Sequence, residues 1–232
     1  MNSNDTRVIA ATTGPGNAQS TAMPAGAKRV LRNTYYLLAM TLAFSAMVAA
    51  LSASLRLPHP GLLLTLGGYF GLLFLTSYLR NSVWALPAVF ALTGFMGYTL
   101  GPLIAAYLAL PSGAGIVATA MGTTAAIFVG LTWYASLSSA PDMSRFGSFL
   151  MVGLLTAFGL GLAASFFSMP ALSLAVSGMF ILLMSGLIMY QTQAIVRGGE
   201  DNYVMATVTL FVSIYNLFAS LLQILGVLGG EE

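Results

Sequence analysis

Long apolar runs separated by short polar stretches dominate the pattern along the chain. A helix needs about 20 mostly apolar residues to cross the hydrocarbon core of a bilayer. Seven runs meet this length, at residues 34–55, 61–79, 84–108, 114–138, 147–168, 170–190 and 203–228. Strands of a membrane barrel would instead show segments of about 10 residues with alternating hydrophobicity. The pattern therefore predicts an all-α membrane protein with seven transmembrane helices.

The boundary between the fifth and sixth spans is the least marked, because only Ser168, Met169 and Pro170 separate them. Proline fits the first turn of a helix, where its missing N–H group has no intrahelical partner to lose. Without a break there, the run from 147 to 190 would be far too long for one crossing. We therefore predict seven spans and not six.

The first segment, residues 1–27, lacks apolar periodicity and is rich in Ser, Thr, Asn, Gly and Ala. Such composition is typical of disordered chain. The segment also lacks the continuous apolar core of a signal peptide. We predict a disordered cytoplasmic tail over residues 1–27 and a transmembrane bundle over residues 28–232.

The basic residues predict the orientation of this bundle. With seven spans, all but one of them fall on the side of the N-terminus: Arg7, Lys28, Arg29, Arg32, Arg80, Arg145 and Arg197. Only Arg56 falls on the opposite side. Short cytoplasmic loops carry an excess of Lys and Arg, so the N-terminus is predicted to be cytoplasmic and the C-terminus periplasmic.

Composition agrees with a membrane protein and narrows its chemistry. The chain is 58% hydrophobic and 6% charged, with a mean hydropathy of +0.88, whereas soluble domains carry about 25% charged residues. Because topology explains the basic residues, the net charge of +2 does not indicate a nucleic-acid partner. There is no cysteine, which excludes thiolate chemistry and disulfides.

The acidic residues all lie outside the predicted spans or at the chain ends, at Asp5, Asp142, Glu200, Asp201, Glu231 and Glu232. Ionisable residues inside spans usually mark transport paths or proton relays, and none is found here. The single histidine, His59, lies in a Pro-His-Pro loop without an acidic neighbour. We therefore expect a protein that is not an enzyme and that needs no metal or cofactor.

Small residues recur at one-turn intervals in three spans. The third span contains Gly94, Gly97, Gly101 and then Pro102; the fourth contains Ala118, Gly122, Ala126 and Gly130; the fifth contains Gly153, Ala157 and Gly161. Small residues let membrane helices approach closely. Packing inside the bundle is favoured over a dimer interface. Pro102 should break or kink the third span, either to line a cavity or as a passive packing solution.

A polar seam runs along the seventh span, formed by Thr209, Ser213, Asn216, Ser220 and Gln223. The spacing is that of one helical face, which must turn away from lipid, so the seventh span is predicted to be central. Hydrogen bonds between helices, worth about 0.6 kcal/mol each, are favoured over a path for ions or solutes. The sixth span ends with further neutral polar residues, Tyr190, Gln191, Thr192 and Gln193.

Several motifs together resemble the Bax-inhibitor-1 family of seven-helix membrane proteins. They are V-L-R-N-T-Y at 30–35, L-P-H-P-G-L-L-L-T-L at 57–66, G-F-M-G-Y-T-L-G-P at 94–102, G-G-E-D-N-Y at 198–203 and S-I-Y-N-L-F-A-S-L-L-Q-I-L-G at 213–226. The resemblance covers nearly the whole chain after the tail. It implies a seven-helix bundle with the last helix at its centre.

Many members of that family are linked to a pH-sensitive calcium leak through paired aspartates on the sixth and seventh spans. Here Gln191 and Ser213 stand at the matching positions. Close carboxylates can share a proton and attract a cation, whereas glutamine and serine only form hydrogen bonds. This argues against a calcium path of the family type, and Glu200 and Asp201 are expected in a solvated loop.

The resemblance implies a bacterial inner-membrane protein that binds and inhibits the FtsH protease, together with its prohibitin-like companions. Such binding would use the bundle within the lipid bilayer and leave the tail available to a protease. Two alternatives stay open. One is a cation (calcium) leak channel or small transporter, and the other is a structural bundle that organises its neighbours.

Overall fold

Seven long helices make up most of the computed structural model, which describes residues 25–137 and 139–229. They are α1 (Ala25–Ser54), α2 (Leu62–Leu79), α3 (Ala85–Leu108), α4 (Gly113–Ala135), α5 (Gly147–Phe166), α6 (Pro170–Val196) and α7 (Tyr203–Gly229), with a short 3₁₀ turn at Ser144–Phe146. All seven helices are long and apolar enough to cross a membrane. The predicted all-α fold with seven spans is confirmed.

Two helices extend further than their apolar runs. α1 begins at Ala25, where residue 34 was predicted, and α6 continues to Val196, beyond the predicted end at 190. Hydropathy detects the part of a helix that crosses hydrocarbon, while the backbone hydrogen bonds continue into the polar flanks. α1 therefore includes the last three residues of the predicted tail, and Ala27 is buried; the division into tail and bundle stays a prediction. Residues 1–24 lie outside the described part of the chain.

The helices alternate in direction, which gives the bundle two ends. At the proximal end, where α1 begins, the Thr207 hydroxyl donates to the Thr34 carbonyl at 3.3 Å. At the distal end, the Ser112 hydroxyl donates to the Gly229 carbonyl at 3.3 Å. The loop after α1 is also held at the distal end, because the Tyr98 hydroxyl donates to the Pro58 carbonyl at 2.9 Å.

Basic residues are distributed very unevenly between these ends. Those at the proximal end are Lys28, Arg29, Arg32, Arg80, Arg145 and Arg197, and Arg56 is at the distal end. Arg7 lies outside the described residues. An excess of Lys and Arg is characteristic of the cytoplasmic side. The distribution supports the predicted orientation, and the side on which each terminus lies stays a prediction.

Helix α7 contributes many of the residues that are buried in the bundle. It packs against α1, α3, α4 and α6, and Leu210, Phe211, Leu217 and Leu222 are almost fully buried. α2 differs sharply, since it packs mainly against α3 and Thr76 is its one buried residue. The contacts of α7 support the expectation that it lies at the centre, which stays a prediction.

The glycines of α3 lie directly against α1. A Cβ atom added to Gly97 would lie 2.4 Å from the Ser45 carbonyl oxygen, and one added to Gly101 would lie 2.4 Å from the Ser52 Cβ. At Gly94 the added atom would meet the Phe44 ring at 2.8 Å. These distances are shorter than van der Waals contact, so the close α1–α3 interface requires glycine, which has no side chain, at these three positions.

α3 continues as a helix through Pro102, so the helix does not break there, and the predicted kink stays a prediction. Proline removes the hydrogen bond that residue 102 would donate to the carbonyl four residues earlier. That carbonyl belongs to Tyr98, and it accepts a bond of 3.1 Å from the Ser52 hydroxyl of α1. A side chain of the neighbouring helix thus replaces the lost backbone donor, as membrane helices commonly require.

The rows of small residues on α5 and α4 differ in their surroundings. On α5, Ala157 is fully buried, and a Cβ on Gly153 would lie 2.7 Å from Leu183 of α6. On α4, by contrast, Ala118, Gly122, Ala126 and Gly130 are all exposed. The expectation of packing inside the bundle is therefore wrong for α4.

Candidate functional site

The residues of the polar seam of α7 are buried to different degrees. Ser213 and Ser220 are buried, and Thr209, Asn216 and Gln223 are partly buried. A hydrogen-bonding side chain left without a partner in hydrocarbon costs several kcal/mol. The partners of these side chains therefore determine what the seam can do.

Two members of the seam bond to their own helix. The Ser213 hydroxyl donates to the Thr209 carbonyl at 2.8 Å, and the Asn216 amide donates to the Val212 carbonyl at 2.8 Å. Both bonds span one helical turn, which satisfies the donors without a neighbouring helix. The side chains in the middle of the seam therefore bond within α7, whereas the sequence pattern favoured hydrogen bonds between helices.

Gln223 does bond to a neighbouring helix. Its amide nitrogen donates to the Ser173 hydroxyl at 2.6 Å, and its amide oxygen accepts from the Ser177 hydroxyl at 2.7 Å. Both serines belong to α6, one turn apart. This pair of bonds fixes the register of α6 against α7 near the distal end.

The positions predicted to match the family's paired aspartates are both buried, Gln191 being 6% exposed and Ser213 0% exposed. The Gln191 amide donates a long bond of 3.5 Å to one carboxylate oxygen of Glu200. Ser213 bonds to its own helix, as described above. Among the described residues, therefore, these two side chains are not hydrogen-bonded to each other.

Glu200 is the polar residue that sequence reasoning placed incorrectly. It was expected in a solvated loop, but it is partly buried and its second carboxylate oxygen accepts the backbone N–H of Asn202 at 2.9 Å. Asn202 in turn caps α7, since its side-chain oxygen accepts the N–H groups of Val204 and Met205 at 3.0 Å. An asparagine before an apolar run is a helix-start signal, and it could have located Glu200 beside the positive end of α7.

The loops at the proximal end are tied to α6 by Gln193. Its amide nitrogen donates to the Pro141 carbonyl at 2.8 Å, and its amide oxygen accepts the backbone N–H of Met143 at 2.9 Å. Beside this contact, the exposed Asp142 carboxylate pairs with the Arg197 guanidinium. The backbone N–H and then the hydroxyl of Ser144, followed by Arg197, hold the pKa of Asp142 below its ordinary value.

A third connection joins the loop after α2 to the start of α7. The Asn202 amide donates to the Arg80 carbonyl at 3.2 Å and to the Asn81 side-chain oxygen at 3.0 Å. Together, the hydrogen bonds of Asn202 and Gln193 hold the short proximal loops against the bundle.

The seven described helices contain no Asp or Glu, and their basic residues are confined to the first two turns of α1, at Lys28, Arg29 and Arg32. Within the described part of the chain, no three His, Asp or Glu side chains gather as metal ligands would. The site therefore offers packing and neutral hydrogen bonds, with one carboxylate, Glu200, at its proximal edge.

Seven apolar helices around a neutral polar seam define a multi-pass α-helical membrane protein. A family model described as "inhibitor of apoptosis-promoting Bax1" matches residues 27–230. The chain belongs to this family, the Bax-inhibitor-1 family, as the motifs of the third and seventh spans had indicated.

Individual bacterial relatives are similar over most of their length. An uncharacterised protein of Pseudomonas aeruginosa is 52% identical over 203 residues, covering 88% of this chain and 91% of the relative. The modulator of FtsH protease YccA of Escherichia coli is 49% identical over 199 residues, covering 85% and 90%. The corresponding protein of another Escherichia coli strain is named inner membrane protein YccA. This chain is accordingly a multi-pass protein of the bacterial inner membrane.

Proposed function

We propose that this protein is a regulatory protein of the inner membrane that binds the FtsH protease complex and inhibits it, without being an enzyme itself. The observation that carries the proposal is the 49% identity to the Escherichia coli protein named modulator of FtsH protease, over 85% of this chain and 90% of that relative. A match over 199 residues is far longer than any one helix, so the similarity is not confined to one shared segment.

The chemistry of the site supports a binding role. Gln191, Gln193, Ser213, Asn216 and Gln223 of α6 and α7 are engaged in hydrogen bonds, and the described helices supply no acid–base pair of the kind that catalysis requires. A partner can still be recognised through packing and neutral hydrogen bonds between membrane helices. We propose that the bundle, and not a catalytic group, acts on FtsH and its prohibitin-like companions.

The described structure limits which surfaces a partner could use. The proximal loops are short and tied to the bundle, so the lipid-facing sides of the helices and residues 1–24 remain. α2 exposes large side chains along its length, since Leu63, Phe74 and Tyr78 are each about four-fifths exposed. We propose this outward face of α2 as the first part of the contact surface to test.

Co-purification in mild detergent tests the proposed complex. We expect FtsH and the prohibitin-like companions to co-purify with the tagged chain. Phe74→Ala should reduce the yield of FtsH. Phe149→Ala is the matched control, because it also removes an exposed aromatic ring, on α5, and it should not change the yield. Absence of FtsH from the native preparation would contradict the function, and equal yields from the two variants would contradict the assignment to α2.

Deletion of residues 2–24 separates binding from turnover. We propose that residues before α1 form the tail that a protease engages, so the shortened chain should bind FtsH but be degraded more slowly. The deletion must stop at residue 24, because Ala27 is buried in the bundle. Unchanged turnover by FtsH would show that the tail has no such role.

One observation favours a second candidate function, a cation leak. The Glu200 carboxylate lies beside Gln191, so one acid is close to a position that we predict to match one of the family's paired aspartates. This candidate requires the native chain to conduct calcium in liposomes, and Gln191→Asp with Ser213→Asp to increase the flux or make it pH-dependent. Native flux no greater than that of empty liposomes would exclude it.

A further inference from the structure

An apolar groove of about 860 Å³ opens on the side of the bundle. It is lined by the second half of α1, the second half of α3, the first half of α4, and α7. The buried rings of Phe211 and Phe218 form its deep side, whereas the lining residues Ala46, Ala50 and Ala125 are exposed. The groove therefore opens sideways, in the direction where hydrocarbon surrounds a membrane helix bundle.

The groove is closed at one end and polar at the other. Towards the proximal end, Tyr35 of α1 meets Phe128 of α4 with ring centroids 6.2 Å apart. Towards the distal end the lining contains Ser54 and Arg56. Among the described residues, Arg56 is the only charged one in the lining, so the groove has an apolar body and one cationic end.

Two polar side chains along the body of the groove, Thr124 and Tyr215, are hydrogen-bonded within the protein. The Thr124 hydroxyl donates to the Ala120 carbonyl at 2.7 Å, and the hydroxyls of Tyr215 and Thr99 bond to each other at 3.1 Å. The lining therefore presents mainly hydrocarbon to an occupant. A polar solute would gain few hydrogen bonds there in return for losing its hydration.

The dimensions of the groove suit a flexible hydrocarbon chain. From Leu42 to Ser54, α1 lines the groove for about 18 Å, slightly more than one leaflet of about 15 Å. The volume lies within the range of about 300–1,000 Å³ found for small-ligand sites.

Arg56 lies immediately after α1 in a left-handed backbone conformation, with φ of +50°. Its N–H donates to the Ala53 carbonyl at 3.1 Å, and the next N–H, of Leu57, donates to the Ser52 carbonyl at 3.0 Å. Glycine or asparagine ends a helix in this way at the lowest cost. The backbone therefore does not explain why a guanidinium stands there, whereas phosphate binding at the mouth of the groove does.

We propose that the groove is a binding site for an anionic phospholipid. An acyl chain lies between α1 and α4, and the phosphate is held by Arg56 at the distal end. This inference goes beyond the regulation of FtsH and does not rest on it, because it uses only the shape, lining and charge of the groove.

Photo-crosslinking tests the location of the acyl chain. The full chain is placed in nanodiscs with phosphatidylglycerol that carries a diazirine on its acyl chain, and labelled residues are mapped by mass spectrometry. We expect labels concentrated on groove residues such as Ala50, Met121 and Ala125. Even labelling of all exposed helix faces, including Ala43 outside the groove, would mean only an annular lipid and would overturn the proposal.

Matched variants test shape and charge separately. Ala50→Phe fills the groove and should remove its label, whereas Ala43→Phe adds the same ring on the outer face of α1 and should not. Arg56→Asn, which suits the left-handed backbone, should keep the fold and weaken phosphatidylglycerol binding about fivefold, the effect of one basic residue near a lipid surface. Arg56→Lys should retain most of the binding.

Two results would overturn the proposal even with a folded protein. One is equal binding of phosphatidylglycerol by native chain and Arg56→Asn, since the phosphate would then not be held by this residue. The other is a stable dimer, detected by native mass spectrometry, that Ala50→Phe dissociates and Ala43→Phe does not, because a second copy would then fill the groove.

Discussion

The two sides of α1 show how differently small residues can be used in one helix. Towards α3, the backbone around Ser45 and Ala49 lies so close to Gly97 and Gly101 that an added Cβ would overlap it. Towards α4, the alanines of α1 line an open groove. Small side chains permit close approach, but the facing helix determines whether the space is filled by protein.

The largest effect should come from placing a methyl group in the packed interface. Gly97→Ala adds a Cβ 2.4 Å from the Ser45 carbonyl oxygen, and because that atom is backbone, α1 must move. Overpacking typically costs about 1–3 kcal/mol, which thermal unfolding in detergent would measure. Gly122→Ala is the matched control, because nothing lies within 4 Å of a Cβ added there. The stability of this variant should not fall. Equal losses would contradict the comparison.

A smaller effect is expected where a side chain of α1 replaces the backbone donor missing at Pro102. Ser52→Ala leaves the Tyr98 carbonyl without the 3.1 Å bond, at a cost of about 0.6 kcal/mol and at most about 1.7. In a Pro102→Ala background, residue 102 can donate to that carbonyl again. A double-mutant cycle should therefore show that Ser52→Ala costs less there. An unchanged cost would mean that the bond does not compensate for the proline.

On the open side, substitution should have almost no effect on stability. Ala46→Leu adds apolar volume at an exposed residue of the groove, so the change in unfolding free energy should stay within about 0.5 kcal/mol. The same thermal measurement applies. A loss as large as that of Gly97→Ala would show that the groove is closed in the folded protein.

The smallest effect belongs to a pair outside the membrane. The folded pKa of Asp142 is lowered from 3.8, first by the backbone N–H of Ser144, then by the Ser144 hydroxyl, and then by Arg197. Its contribution is therefore complete above the unfolded pKa and is lost as the pH falls through the folded pKa. Asp142→Asn should be slightly less stable than the native chain at pH 7 and equal to it in strong acid. A difference that grows towards acid pH would contradict this sign.

Hydropathy and spacing were enough to predict the seven helices, because a bilayer forces long apolar runs into helices. They could not predict that α1 starts at Ala25 or that α6 continues to Val196, since helix formation outside hydrocarbon does not need apolar residues. They also predicted the same role for the ridges of α3 and α4. Gly97 in α3 and Gly122 in α4 each belong to a row of small residues at one-turn intervals. Only the positions of the neighbouring helices distinguish the packed row from the exposed one.

The candidate site was predictable in its residues but not in its bonds. The seam from Thr209 to Gln223 is visible as a polar face, yet Ser213 and Asn216 bond to α7 itself while Gln223 bonds to α6. A side chain one turn from a free carbonyl has both options, and the rotamer that decides between them depends on three-dimensional packing. The location of Glu200 beside Gln191 likewise follows from the cap of α7.

Reconstituted proteolysis tests the central claim most directly. FtsH with its companions is placed in liposomes with ATP and a membrane-protein substrate, and the rate of substrate degradation is measured as this protein is added. The account predicts that the rate falls with increasing amounts of the folded chain, and that the chain lacking residues 2–24 still lowers it. A rate that is independent of this protein, at amounts well above those of FtsH, would contradict the proposed function.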